Sequence, residues 1–135
     1  LPLAVYGCRD TSTGQISRGD HSQEIIKPSG KTIESRFSPP NGYERQAFDK
    51  MSFGYYLRNL PLKEHNAPVL YYNGEEKDNN DIYSGVVAMD IGKANLQQCA
   101  DAVMRLRAEY FYRTGQPKKI HFNFTNGFVA AYNPW

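Results

Sequence analysis

The stretch that most constrains this chain is "NLQQCADAVMRLRAEYFYRTG", Asn95 to Gly115. Leu96, Cys99, Val103, Leu106 and Tyr110 recur at alternating spacings of three and four, one apolar stripe of an α-helix. Asp101, Arg105 and Glu109 form a second, charged column, with Asp101 four residues before Arg105 in the favourable order. Asn95 followed three positions later by Gln98 has the form of a capping box, so the helix is expected to begin there. Gly115, with Pro117 just beyond it, ends the helix. A helix with one apolar stripe must bury it against something else, and the flanking sequence supplies strands.

Before the helix, "KTIESRF" (Lys31 to Phe37) alternates polar and apolar residues as a strand does, and "SPPNGYER" then breaks regular structure. Phe53, Tyr56, Leu57 and Leu60 are spaced for a short helix with Ser52 as its N-cap and Pro61 at its end. Val69–Tyr72 and Ile82–Met89 read as two strands of a long-looped hairpin. The loop carries Glu75, Glu76, Asp78 and Asp81, whose spacing does not match a Ca²⁺ loop and which read as a solvated tip. After the helix, Ile120, Phe122 and Phe124 alternate with His121 and Asn123, Thr125-Asn126-Gly127 turns the chain, and "FVAAY" begins a further strand. The expectation is an α+β fold: one long central helix, a short helix and antiparallel strands.

Composition narrows the function classes. At 135 residues the chain suits one domain. Its net charge is +2, with basic residues scattered and only Lys118 and Lys119 adjacent. A nucleic-acid partner, which needs a clustered basic face, is therefore not expected. Three histidines lie far apart and two cysteines, Cys8 and Cys99, stand alone, so neither a metal site nor a cofactor is expected. No stretch is long enough to span a bilayer.

The first residues point to the cell surface. "LPLAVYGC" resembles the processing box of bacterial lipoproteins, with Val5 and Gly7 in place and Tyr6 as a bulky departure. On that reading residues 1–8 are the remnant of an export signal and Cys8 is acylated, the acyl chains partitioning into a membrane. The other reading is an apolar strand or leader with a free cysteine. Residues 9–30, polar and without periodicity, read as a flexible tether, and residues 31–135 as the domain itself. The abrupt apolar end, "AAYNPW", reads as a cut within a longer domain. The expected location is outside the cytoplasm, with the membrane as a partner through the lipid.

Cys99 carries the question of chemistry. Lying on the apolar stripe, it reads as a small buried hydrophobe. Lying near a helix start, it reads as a nucleophile, because the positive end of the macrodipole favours a thiolate. A nucleophile needs a base, and His121 is the next histidine along the chain, with Asn123 on the same strand face to orient it. His65 reads as a solvated loop residue and His21 as part of the tether, while Tyr55, Tyr71 and Tyr112 are candidates to line a sugar or peptide groove.

Together "SFGYYLRNLPL", "LQQCADAVMRLRAEY" and "IHFNFTNG" resemble a family of bacterial exported proteins and lipoproteins known as a domain of unknown function, over roughly residues 31 to 135. The layout is more distantly similar to papain-like cysteine hydrolases of bacterial cell walls. That resemblance implies the amino-terminal portion of a papain-like fold. Cys99 then matches the nucleophile, and Gln97 and Gln98 are neighbours of the oxyanion. It also implies a histidine in a "GHA" segment beyond Trp135, which would displace His121 as the base. The activity implied is a peptidase or amidase acting on an envelope amide bond, in peptidoglycan or a peptide. The alternative is a non-catalytic envelope domain that binds glycan, peptide or another protein.

Overall fold

The computed structural model describes residues 24–78 and 82–132. Cys8, His21, Asp81 and Trp135 lie outside them. The order of elements is α1 (Ile33–Arg36), α2 (Phe53–Arg58), α3 (Cys99–Arg113), a 3-10 turn (Pro117–Lys119), β1 (His121–Asn123) and β2 (Val129–Ala131). Among the described residues the fold is mixed helix and sheet, with one long helix and a two-stranded antiparallel sheet.

The first departure from expectation is Lys31–Phe37, which forms the single-turn helix α1 rather than a strand. Thr32 and Ser35 decide this locally. The Ser35 amide donates to Thr32 Oγ1 at 3.2 Å and the Thr32 amide to Ser35 Oγ at 2.9 Å, a reciprocal cap that competes with a sheet ladder. The turn carries Arg36 inward, where it is fully buried. Its Nε and Nη2 donate to the Gly30 carbonyl at 2.9 and 2.6 Å, and Nη2 also to the Lys63 carbonyl at 2.9 Å. Residue 30 must be glycine, since a Cβ there would lie 2.5 Å from the Arg36 backbone.

The short helix forms as its spacing predicts, with Ser52 Oγ accepting from the Tyr55 amide at 3.1 Å. The expected pairing of Val69–Tyr72 with Ile82–Met89 does not form. The chain turns back at once around Asn73-Gly74, so the Tyr71 amide reaches the Glu75 carbonyl and the Lys77 amide the Val69 carbonyl, each at 2.8 Å. Asn73 tightens that turn by accepting from the Glu75 amide, and the nearer residues take the partner's place. Val87 pairs instead with Leu62, and Ile82 remains exposed.

The long helix begins at Cys99, three residues later than a cap at Asn95 promises. Its cap is Gln98, whose amide donates to the Asp101 carboxylate at 3.0 Å. The buried face also differs from the apolar stripe. Leu96 and Val103 are exposed, at 77% and 65%, while the Arg105–Glu109 column is half-buried. Burial of that column is tolerable because its two charges meet at 2.7 Å. Tyr110 stays inward, its ring 5.2 Å from that of Phe53 and 5.8 Å from that of Tyr56, joining α3 to α2.

The terminal hairpin follows the sequence pattern. His121, Phe122 and Asn123 pair with Ala131, Ala130 and Val129 around a three-residue turn closed by Gly127 at φ +84°. Ile120 lies at the base of this hairpin and is buried, as are Leu60 and Leu62.

Candidate functional site

Cys99 is exposed, and the reading of it as a core hydrophobe is therefore incorrect. It stands at the first position of a 15-residue helix, where backbone N–H groups of the first turn have no carbonyl partner within the helix. The thiol lines a groove of about 410 Å³ whose opposite wall is the Asn73-Gly74 hairpin, with Leu70, Tyr71 and Tyr72. Gln97 and Gln98 complete the helix-side wall. Both hairpin tyrosines are partly exposed, so the groove is open to a ligand and has aromatic surface to hold one.

The segment leading into the helix is tied down through Arg105. Its Nη1 donates to Gln97 Oε1 at 2.8 Å and to the Asp90 carbonyl, and its Nε pairs with Glu109. The Gln97 amide in turn donates to the Met89 sulfur at 3.3 Å. Gln97 is thus held in a fixed orientation beside Cys99. On the far side of Glu109, the Tyr56 hydroxyl donates to the carboxylate at 3.3 Å, and burial, then the neighbouring negative charge, push the phenol above its ordinary range. This cluster was not anticipated from sequence. The hint in the sequence is the charged column on α3, Asp101, Arg105 and Glu109.

Cys99, Gln97 and Gln98 are brought together; His121 is not brought to them. The Tyr132 amide donates to the Ile120 carbonyl at 2.8 Å, and the Tyr132 ring meets that of Tyr112 at 6.2 Å. His121 therefore sits at the level of Tyr112, thirteen helical positions from Cys99 and about 20 Å along the axis at the usual rise per residue. Asn123 shares its exposed strand face. His65 is half-buried rather than solvated, with Nδ1 sealed from solvent, and lines a separate hollow with Ile26 and Tyr83. Cys8 lies outside the described residues.

Among the described residues no group of three or more His, Cys, Asp and Glu side chains comes together to hold a metal ion. No helix among them is long and apolar enough to cross a membrane. The chain belongs to the family described as Domain of unknown function (4846), whose profile matches residues 33–135. No curated protein and no solved structure matches the chain.

Proposed function

We propose that this protein is a papain-like cysteine hydrolase of the bacterial envelope, acting on an amide bond of peptidoglycan or a peptide. The observation that carries the reading is the placement of Cys99: an exposed thiol on the first residue of the one long helix, inside a groove with aromatic walls. In the reaction, Cys99 Sγ attacks the amide carbon. First-turn N–H groups, with the Gln97 side chain beside them, hold the developing oxyanion. The amine leaves with a proton and water then releases the acyl group from the thioester. The base that takes the thiol proton lies outside the described residues, since His65 and His121 line other surfaces. Cys8 is the proposed lipid anchor that keeps the enzyme at the envelope.

The test is alkylation of the full-length protein at pH 6, where an ordinary thiol is almost wholly protonated. Iodoacetamide is expected to modify Cys99 much faster than it modifies an unstructured cysteine peptide, with the site read by peptide mass spectrometry. Labelling at or below the peptide's rate would remove the nucleophile and with it this function.

A further inference from the structure

A second groove, also of about 410 Å³, lies between α3, the base of the β-hairpin and the Val87–Asp90 segment, and shares no lining residue with the Cys99 groove. Its size falls within the range of about 300–1,000 Å³ typical of small-molecule sites. Its floor is apolar, formed by Leu60, Val87 and Ile120. Its outer corner is aromatic: the Tyr112 and Tyr132 rings meet edge to face at 6.2 Å and 81°, and Tyr112 is 62% exposed, leaving much of its ring uncovered.

The polar groups are fixed before any ligand arrives. The Glu109 carboxylate is held by Arg105 at 2.7 Å and by the Tyr56 hydroxyl at 3.3 Å, with Arg113 at 3.9 Å, yet its side chain keeps 30% of its surface open. Arg105 and Arg113 are balanced by Glu109 and Asp90, so the four charges lining the groove sum to zero. A phosphate or a polycation gains nothing from a neutral groove. A wholly apolar ligand would strip water from a carboxylate and two guanidiniums without replacing their hydrogen bonds. The ligand that fits is neutral, has one apolar face for a tyrosine ring, and carries hydroxyl pairs at its edge for a carboxylate and a guanidinium.

We infer that this groove binds a neutral glycan, one pyranose ring stacking its C–H face on Tyr112 and directing hydroxyls to Glu109 and Arg105. This site stands on residues separate from Cys99, so it holds whether or not the thiol is catalytic. A hydrolase with such a groove would grip a sugar strand with one surface and present Cys99 with another.

Saturation-transfer NMR on the intact protein tests it, using maltotriose, cellotriose, xylotriose and chitotriose at millimolar concentration. Transfer to ring C–H protons is expected for at least one sugar. Tyr112→Ala is expected to weaken that binding roughly tenfold or more, about 1.4 kcal/mol. Tyr112→Trp, which keeps an aromatic platform, should retain it, and Cys99→Ser should leave it unchanged. Circular dichroism of the Tyr112 variants checks that each is folded. Absence of transfer to all four sugars overturns the inference, as does binding that survives Tyr112→Ala. Transfer to an Ala-Glu-Lys-Ala peptide with none to the sugars also overturns it, and assigns the groove to peptide.

Discussion

Removing the Arg36 side chain is expected to cost more than any change at the surface, and the hydrogen bonds around it set the size of the effect. The guanidinium is fully buried and makes three bonds to two backbone carbonyls, Gly30 and Lys63, while Nη1 has no partner. No carboxylate pairs with it among the ion pairs of the described residues. It holds the Gly30 loop to the Lys63 segment through backbone carbonyls. In Arg36→Ala the two carbonyls lose their donors, at about 1–3 kcal/mol each for a buried acceptor. A cavity is left as well. The carbonyls alone come to about 2–6 kcal/mol and the cavity adds to this, a large part of the roughly 5–15 kcal/mol that ordinarily holds a domain together. Arg36→Met leaves the same two carbonyls without donors but fills most of the cavity, so it should recover only the cavity part of that loss. Urea titrations followed by far-ultraviolet circular dichroism would give both values. If Arg36→Ala lies within about 1 kcal/mol of the unmodified protein, below the cost of leaving even one buried carbonyl unpaired, the reasoning fails.

Other expectations follow from the same structure. Tyr56 is held above its ordinary range by burial and by Glu109, so the stability it contributes is present below its unfolded value of 10.0 and is lost as pH rises through its folded value. Absorbance titration at alkaline pH should show a late-ionising tyrosine that disappears in Tyr56→Phe; an unchanged titration would remove the coupling to Glu109. Gly115 closes α3 at φ +71°, so Gly115→Ala should cost about 1–2 kcal/mol, measured by thermal unfolding. Cys8→Ser should move the protein from the membrane to the soluble fraction in its native host, and unchanged fractionation with no lipid adduct by mass spectrometry would remove the proposed anchor. Glu64 is held below the ordinary carboxylate range by its hydrogen bond to Lys31; whatever stability it contributes is present above its unfolded value and is lost as pH falls through its folded one.

Where a single local signal decides an element, the sequence was readable. The Ser52 cap, the Phe53–Leu60 spacing and the strict alternation around His121 all led to the elements observed. Failures came where two signals competed. Lys31–Phe37 alternates like a strand, but the Thr32–Ser35 pair offers the backbone a closer set of partners, and the short-range bonds prevail. The Val69–Tyr72 strand had two partners to choose from, and a turn at Asn73-Gly74 closes a much shorter loop than one reaching to Ile82. Tertiary burial of the Arg105–Glu109 pair could not be read at all, because periodicity ranks residues by polarity and does not register that two opposite charges can be buried together.

The start of α3 shows how a small boundary error becomes a functional one. With the cap at Asn95, Cys99 sits a full turn into the helix, on the stripe that carries Leu96 and Val103, and packing is its natural role. With the cap at Gln98, Leu96 lies outside the helix, and Val103 faces solvent, so the stripe that supported a core assignment is not a core. The same shift puts the thiol on the first helical residue, where N–H groups have no carbonyl partner within the helix, in a groove it lines together with Tyr71 and Tyr72. What holds the boundary there is the Gln98–Asp101 cap and the Arg105–Gln97 bond, which draws the preceding segment back along the helix. Arg105 also holds Glu109 at the edge of the second groove. Arg105 and the Gln97–Met89 bond therefore tie the wall of one groove to that of the other.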